Sequence, residues 1–439
     1  MDQSLRSNFF KYVNLNVVSM VGLSCYILAD TFFISKALGS TGLAALNLSI
    51  PIFSFLTGIG LMIGIGGATR FTILKARQEE KEANQIFSLS VKFALIMGMM
   101  FFIIGLFGTK ILARLFGANQ ETYPHTKIYI QTVLLFAPVF IINHVLIAFV
   151  RNDHGPRLAM VAMLMGSIAN IVLDYVFMFP LQLGMFGAAL ATSLAPVISV
   201  IIILIFHFGR RRNTFTYMKI KWETKSVLMI SGLGLSSLIT EVSSAIVMIV
   251  FNHVILRITG NLGVAAYSIV LNLALIAQSI YTGIAQGIQP LISHYHGIKR
   301  LNAIRRIRQL SFMTSTIFSI VIYLAMFIYT DMIVNIFNDE GNRQVASMAK
   351  EGLRIYFSGF FFAGINIVLA MILSAMEQKR DAFFMTMARG LIFIIPFVFI
   401  FSFLFDITGV WLSFVVTEGI VFIMGYYFVE KRRISKNYR

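Results

Sequence analysis

Long apolar runs, separated by short segments rich in charged and turn-forming residues, follow one another along the whole chain. A helix needs about 20 apolar residues to cross the hydrocarbon core of a bilayer. Only helices and closed barrels satisfy every backbone hydrogen bond there, and runs of this length indicate helices. The pattern predicts twelve spans, at residues 14–38, 43–69, 84–108, 128–150, 157–180, 184–208, 226–256, 264–290, 310–336, 352–376, 383–405 and 407–430. We therefore expect an all-α integral membrane protein.

The composition agrees with this pattern. Of the 439 residues, 58% are hydrophobic and only 13% are charged, whereas a soluble domain carries about 25% charged residues. Cys25 is the only cysteine, which excludes an intrachain disulfide and a zinc site built from cysteines. The net charge of +17 does not indicate nucleic-acid binding, because no basic stretch alternates with aromatic residues in a soluble segment.

Lysine and arginine are distributed unevenly between the two sides that the spans define. About 28 of the 36 lie at the two termini and in or beside the even-numbered connections, which share one side. Such residues accumulate on the cytoplasmic side of membrane proteins. We predict a multi-pass plasma (inner) membrane protein with both termini in the cytoplasm. Residues 209–225 are the expected basic cytoplasmic linker, and residues 431–439 the expected basic cytoplasmic tail.

Short motifs in the first half of the chain recur in the second half at a spacing of about 221 residues. The pairs are "GSTGLAA" from Gly39 with "GNLGVAA" from Gly260, "KILARLF" from Lys110 with "DMIVNIF" from Asp331, and "GMFGAALA" from Gly184 with "DITGVWLS" from Asp406. Six is an even number, so both halves insert the same way up. We expect six-helix bundles at residues 1–208 and 226–430, related by a pseudo-two-fold axis along the membrane normal. This architecture favours transport by alternating access.

Four acidic residues fall inside predicted spans: Asp30, Asp174, Glu241 and Glu418. An ionisable side chain at the centre of a bilayer costs about 2.5–3.5 kcal/mol on insertion scales, so each is a candidate functional group. The four acids do not coincide under the repeat spacing. We infer that the two halves hold different chemistry, with one half binding a coupling ion and the other contributing mainly to substrate binding.

Oxygen-bearing side chains surround the acids of the first half. Asn170 and Asp174 are four residues apart and lie on one face of span 5. Thr192 of span 6 can face them across the turn between the two spans, and Asp30 lies in span 1. Carboxylate, amide and hydroxyl oxygens suit a hard cation such as Na⁺, and the same carboxylates can hold a proton. Two structural alternatives remain: Asp174 braces a neighbouring helix, and Thr192 bonds to its own helix backbone.

Five segments, in order along the chain, resemble the multidrug and toxic compound extrusion (MATE) family. They are "LADTFFISKALGSTGLAA", "NIVLDYVFMFPLQLGMFGAALATSLA", "GLGLSSLITEVSSA", "VAAYSIVLNLALIAQSIYTGIAQGIQPLISHYHG" and "ITGVWLSFVVTE". The resemblance covers essentially the whole chain, and its details are similar to the bacterial branch that exports cationic drugs. It implies that Asp30, Asn170, Asp174 and Thr192 form a cation or proton site, where Na⁺ would bind Asp30, Asn170 and Asp174.

The second half is less uniform under the same resemblance. Part of the family has a functional glutamate where Glu241 lies, so Glu241 is assigned to a substrate or secondary cation site, with a helix–helix hydrogen bond as the alternative. Glu418 receives the same assignment, with packing as its alternative. Other members carry an acid in span 10, whereas the segment "YFSGFFFAGINIVLAMI" has none here and Asn366 is its only strongly polar side chain. This departure favours coupling through the first half.

The sequence thus predicts a secondary active multidrug exporter, and not an enzyme, that exchanges amphipathic, cationic compounds for Na⁺ or H⁺. Small cationic drugs or dyes and membrane lipid are its expected partners, and we expect a monomer that needs no cofactor beyond the coupling ion. No "GxxxxGK[ST]" motif is present, which argues against ATP coupling within this chain. The alternatives are a lipid-linked saccharide flippase of the same superfamily and, in a different class, an integral-membrane enzyme.

Overall fold

Helices make up almost all of the computed structural model, which describes residues 2–210, 215–337 and 342–437. Within those ranges there is no β-strand. The helices are α1 (Asp2–Ala76), α2 (Glu80–Phe107), α3 (Thr109–Leu115), α4 (Tyr123–Leu135), α5 (Ala137–Asn152), α6 (Pro156–Met178), α7 (Gly184–Arg210), α8 (Thr224–Gly297), α9 (Leu301–Ile328), α10 (Thr330–Phe337), α11 (Arg343–Tyr356), α12 (Phe360–Ala375), α13 (Lys379–Met387) and α14 (Ile394–Asn437). A 3₁₀ turn (Phe357–Gly359) joins α11 to α12, and a π-helix (Ala388–Ile392) joins α13 to α14.

The longest helices each contain parts of two spans, because the chain turns at one or two non-helical positions within them. Gly39 breaks α1 with φ 64° and ψ −154°, and Gly260 breaks α8 with φ 63° and ψ −155°. Glycine adopts this positive φ without a Cβ penalty. Phe405 and Asp406 break α14 in the same way. Spans 4 and 10 are each built from two helices, and the first of these pairs bends by 53°. The prediction of twelve spans is confirmed.

The repeat is visible in the backbone of the turns. Four pairs of turn residues have positive φ, and the two members of each pair lie 221 to 223 positions apart in the sequence. The pairs are Gly39 and Gly260, Gln78 and Lys299, His154 and Glu377, and Gly184 and Asp406. The motifs that begin at Lys110 and Asp331 also match, since they form the short helices α3 and α10. Positive φ is uncommon outside glycine, so these coincidences indicate the same set of turns built twice.

Each half has its own buried core. At one end of the molecule, residues of each half pack into the core of the other. We call this the basic end; it carries the first residues of α1, the last residues of α14 and the turns at Gln78, His154, Lys299 and Glu377. The first residues of α1 pack into the core of the second half, through Leu5, Phe9 and Val13. Val227 and Ile230 of α8 pack into the core of the first half. The predicted boundaries at 1–208 and 226–430 stay predictions, and packing crosses them at the basic end.

Glycines bring the two halves into backbone contact near the basic end. A Cβ at Gly66 of span 2 would lie 2.0 Å from the carbonyl oxygen of Ile230 in span 7. The equivalent position in the repeat, Gly287 of span 8, lies against Tyr12 of span 1 in the same manner. Small residues permit such close approach between membrane helices. Towards the opposite end, spans 2 and 7 both line an apolar cavity, through residues that include Pro51 and Ile249.

A polar network crosses the same contact. Arg151 at the end of span 4 donates from Nη1 to Oε1 of Gln286 in span 8 at 2.6 Å. Its neighbour Asn152 donates to Oε1 of Gln289 at 2.8 Å, and Gln289 donates to Oγ1 of Thr69 in span 2 at 3.0 Å. All five side chains are at least nine-tenths buried. Hydrogen bonds and glycine contacts together hold the halves against each other at the basic end.

The segment predicted as a linker, residues 209–225, lies partly outside the described residues, which omit 211–214. Its described part packs on the first half, where Phe215 is buried and the Thr216 N–H donates to Oδ1 of Asn84 at 2.9 Å. The last helix continues to Asn437, so the predicted tail at 431–439 prolongs α14 as far as the structure describes it. Residues 438–439 lie outside the described residues.

Candidate functional site

The structure brings together the four side chains that the sequence places in a first-half ion site. Asp30 of span 1, Asn170 and Asp174 of span 5 and Thr192 of span 6 are all buried, with exposed fractions between 0% and 6%. Asp30 lies within electrostatic reach of Asp174. Spacing of four residues on one helix and a tight turn between spans 5 and 6 therefore produce the predicted cluster.

Asn170 connects the two sides of this cluster. Its amide nitrogen lies 3.5 Å from Oγ1 of Thr192 in one orientation. In the flipped orientation, the nitrogen donates to Oδ2 of Asp174 at 3.1 Å and the oxygen accepts from the Thr192 backbone N–H at 3.2 Å. The flipped orientation is favoured chemically, because it places a donor against the carboxylate. The Thr192 hydroxyl faces the cluster, whereas the neighbouring Ser193 bonds to its own helix at Ala189.

Each aspartate has one oxygen for which the described residues provide no hydrogen-bond donor. These atoms are Oδ1 of Asp30 and Oδ1 of Asp174, and both are buried. Buried polar atoms are normally paired, and two neighbouring buried carboxylates repel each other when both are ionised. A proton or a hard cation removes both problems. Carboxylate, amide and hydroxyl oxygens suit Na⁺, and the described residues contain no cluster of three or more His, Cys, Asp or Glu side chains for another metal.

Two tyrosines that were not predicted from the sequence also belong to this cluster. Tyr26 and Tyr129 lie within electrostatic reach of both Asp30 and Asp174, and Tyr129 is a hydrogen-bond neighbour of Thr192. Tyr26 is one helical turn before Asp30, so its spacing was a usable signal. Tyr129 comes from span 4, and nothing in its local sequence indicates the contact. Their hydroxyl groups can orient the carboxylates or complete the shell around an ion.

Glu241 lies apart from this cluster, in a cavity that the second half lines together with Leu61 and Ile65 of span 2. The cavity wall also includes Thr240, Gln278, Asn366 and Arg389. Glu241 is partly exposed, and no described residue is found to donate a hydrogen bond to its carboxylate. Its Cβ lies 3.3 Å from where a Cβ at Gly58 of span 2 would be. Glu241 thus lies at the junction of the two halves, where it lines the cavity.

The surroundings of Glu418 differ from those of Glu241. Glu418 is 1% exposed, and its Oε1 accepts from Nε of Arg389 at 2.5 Å. Its Oε2 accepts from Nδ2 of Asn366 at 2.7 Å. Both carboxylate oxygens are therefore used inside the protein. The assignment of Glu418 to a substrate or secondary cation site stays a prediction. Its contacts indicate that Glu418 holds Arg389 in position.

Arg389 is the charged residue that the sequence reasoning overlooked. It lies within predicted span 11, but a single arginine near the connection between spans 10 and 11 adds to the basic charge of that side and is easily counted with the loop. Its distance of 29 residues from Glu418 gives no helical spacing that would have paired them. The useful signal was the presence of one unpaired base and one unpaired acid in adjacent apolar spans.

Comparison with known proteins places this arrangement in a family. The MatE family model matches residues 17–176 and 233–425. A multidrug export protein, MepA, from Staphylococcus saprophyticus is 28% identical over 422 residues, which are 94% of this chain and 92% of the relative.

Two solved structures share the fold. One is a crystal structure of MATE in complex with MaL6; it has a TM-score of 0.93 and 20% identity and covers 99% of this chain and 98% of its own. The other is the outward-facing conformation of a multidrug resistance MATE family transporter of the MOP superfamily, with a TM-score of 0.93, 20% identity and coverage of 99% and 97%. The MepA relative is named an export protein, in agreement with the prediction of a transporter and not an enzyme. This twelve-span chain, with its duplicated turns and its buried carboxylates, belongs to the MatE family.

Proposed function

We propose that this protein is a secondary active multidrug exporter that exchanges amphipathic, cationic compounds for Na⁺ or H⁺ by alternating access. The observation that carries the proposal is the buried pair Asp30 and Asp174, each with one oxygen lacking a donor among the described residues. A proton or Na⁺ at this pair changes the charge of the site inside the membrane. An ion that binds one conformation more tightly than another shifts their populations.

The arrangement of the two halves supports alternating access. They contact each other at the basic end through the Gly66 and Gly287 crossings, while a cavity lies between spans 2 and 7 towards the opposite end. We propose that the basic end is cytoplasmic, as its charge indicates, and that the membrane is the plasma membrane. Drug release and ion entry then occur in the conformation described here, in a monomer surrounded by lipid.

Substrate properties follow from the second-half cavity and from the relatives. Glu241 offers a carboxylate to a cation, and Met371 and Met385 are among the residues that line the cavity. Methionine repacks readily around ligands of different shape. The MepA relatives are named multidrug export proteins, which supports export of drugs here. A membrane potential of 100 mV supplies about 2.3 kcal/mol per charge, and one pH unit about 1.4 kcal/mol per proton.

A lipid-linked saccharide flippase is less well supported. Such a protein needs a predominantly cationic cavity to hold a pyrophosphate group. Here the single base Arg389 shares its cavity with Glu241, and the first-half cluster carries two further carboxylates. These acids disfavour a pyrophosphate and attract a cation.

The test is efflux of a cationic dye from proteoliposomes under an imposed Na⁺ gradient or an imposed pH gradient. We expect Asp30→Asn and Asp174→Asn each to lose gradient-driven efflux. Glu121→Gln, the same chemical change at an exposed loop position, serves as the control and retains it. Full efflux by both aspartate variants would contradict the ion site. Efflux that requires ATP and ignores both gradients would contradict secondary transport.

A further inference from the structure

The position of Arg389 results from an unusual piece of backbone. Span 11 contains a π-helix over Ala388–Ile392, and Arg389 is its second residue. Such π-turns inside α-helices occur frequently at functional sites, because the extra residue re-aims the side chains around it. Next to Arg389, a Cβ at Gly390 would lie 2.3 Å from Oγ of Ser243. Span 11 is thus pressed against span 7 two residues after Glu241, and Arg389 becomes part of the wall of the same cavity.

The guanidinium is held at one edge only. Among the described residues its hydrogen-bond partner is Glu418, which accepts from Nε at 2.5 Å. Asn366 donates to the other oxygen of Glu418 at 2.7 Å and so fixes the carboxylate. The guanidinium has five donors in a rigid planar fork. Because Nε is used, the terminal nitrogens Nη1 and Nη2 remain to contact whatever enters the cavity.

The amide oxygen of Asn366 also lacks a partner among the described residues, although its nitrogen donates to Glu418. Oδ1 of Asn366, a residue that is 1% exposed and lines the cavity, has no hydrogen-bond donor among the described residues. Buried amide oxygens are normally paired. Glu241 can accept from a cationic N–H group, while the free edge of Arg389 can donate to an anionic group. The cavity therefore presents both a cation-accepting and an anion-accepting surface.

We infer that Arg389 forms a carboxylate-binding subsite beside Glu241, and that the cavity selects amphipathic organic cations that also carry a carboxylate. The inference rests on the proposed export of cationic compounds and narrows their class. Glu418 and Asn366 act through Arg389 as positioning residues. A bidentate contact between a guanidinium and a carboxylate is directional and stronger than a neutral hydrogen bond. A site with this contact distinguishes a free acid from its ester.

Two dyes of nearly identical shape provide the test. Rhodamine 123 is the methyl ester of rhodamine 110, so the pair differs in one free carboxylate while the cationic ring system is the same. Affinity of the purified full-length protein for each dye is measured by fluorescence polarisation. The double variant Arg389→Gln/Glu418→Gln removes both charges of the ion pair and avoids a buried unpaired charge. Size-exclusion elution and thermal unfolding establish that it is folded.

We expect the double variant to lose about tenfold in affinity for the free-acid dye relative to the ester, the size of one hydrogen bond between charged groups. Arg389→Lys should recover part of the preference, since it keeps the charge but not the fork. Arg305→Gln removes one exposed positive charge at the basic end and controls for general electrostatics. An unchanged ratio of the two affinities in the double variant overturns the inference, as does wild-type binding of the ester without the acid.

A separate measurement tests the proposed function. Gradient-driven efflux of both dyes by the wild-type protein tests antiport without reference to Arg389. Absence of efflux of the free acid and of the ester contradicts the exporter, whereas intact efflux with an unchanged ratio of affinities contradicts only the carboxylate subsite. Glu241→Gln should weaken binding of both dyes, because both carry the cation.

Discussion

Arg151 donates from Nη1 to Oε1 of Gln286 at 2.6 Å, across the contact between the two halves. The same nitrogen donates to Oδ1 of Asn16 at 3.0 Å. Both acceptors are neutral amides, and Nε of Arg151 has no acceptor among the described residues. Arg151 is nevertheless 1% exposed. A guanidinium buried without a carboxylate carries a desolvation penalty that two neutral hydrogen bonds only partly offset. Burial of Arg151 therefore opposes closure of the basic end, and separation of the halves relieves this cost by hydrating the guanidinium.

The first prediction concerns this contact. Arg151→Met keeps the length of the side chain and removes the buried charge, and loss of two amide partners costs less than the charge does. We expect the closed basic end to become more populated. Spin labels at Lys81→Cys and Lys299→Cys, exposed positions in the two halves, in a Cys25→Ser background report this as a shift towards the shorter distance.

Arg157→Met, an exposed arginine at the same end, is the matched control and should leave the distance distribution unchanged. A shift towards longer distances in Arg151→Met would mean that the hydrogen bonds of Arg151 outweigh its desolvation.

The second prediction concerns the glycine crossings. A Cβ at Gly66 would lie 2.0 Å from the carbonyl oxygen of Ile230, and one at Gly234 would lie 1.9 Å from the carbonyl oxygen of Met62. Neither backbone can yield without separating spans 2 and 7. Gly66→Ala and Gly234→Ala should each destabilise the closed basic end by about 1–3 kcal/mol, as overpacking does. The same pair of spin labels should report longer distances.

Gly419→Ala is the control for helix propensity, since a Cβ there meets Phe362 at an ordinary 3.9 Å. Equal behaviour of Gly66→Ala and Gly419→Ala would show that the close contact between the halves has no influence on the conformational equilibrium.

The third prediction concerns Asn170. In Asn170→Leu the shape of the side chain is kept, but Asp174 loses its amide donor and the cluster loses an oxygen ligand. We expect gradient-driven dye efflux to fall about tenfold, because an unsatisfied buried group costs about 1–3 kcal/mol. Ser193→Ala, which removes a hydroxyl that bonds only to its own helix, is measured in parallel and should remain active. Equal rates for both variants would remove Asn170 from the ion site.

The fourth prediction concerns the ion pair between Arg70 of span 2 and Glu377 after span 10. Nη1 of Arg70 lies 3.1 Å from Oε1 of Glu377, and both side chains are about a quarter exposed. Partly exposed pairs contribute about 0–1 kcal/mol and are weakened by salt. A double-mutant cycle with Arg70→Gln and Glu377→Gln should give a coupling in the free energy of unfolding below about 1 kcal/mol. A larger coupling that persists in 1 M salt would instead make this pair a main lock of the basic end.

Much of the fold follows from local sequence alone. Apolar runs predict the twelve spans, because the bilayer imposes a length and allows no unpaired backbone. The motifs at Gly39 and Gly260 predict the duplication, and the backbone there turns with nearly identical angles. The first-half cluster was also predictable, since Asn170 and Asp174 are one turn apart and Thr192 follows across a short connection.

Contacts between distant helices were not predictable in this way. Tyr129 reaches the Asp30 cluster from span 4, and Arg151 reaches Gln286 from the other half of the molecule. Neither contact corresponds to a regular helical spacing between the two residues in the sequence. Each depends on how helices rotate and cross after insertion, which is set by close packing at positions such as Gly66.

The sequence by itself determined the number of spans, their duplication and which acids enter the membrane, because hydropathy and short-range spacing act within one helix. Only the tertiary structure decided which of those acids are free. Asp30 and Asp174 lie together, each with one oxygen that has no donor among the described residues, Glu241 lines a cavity, and Glu418 is bound to Arg389. The physical reason is that a charge in an apolar helix must find a partner, and the partner is selected by the packing of other helices and not by its distance along the chain.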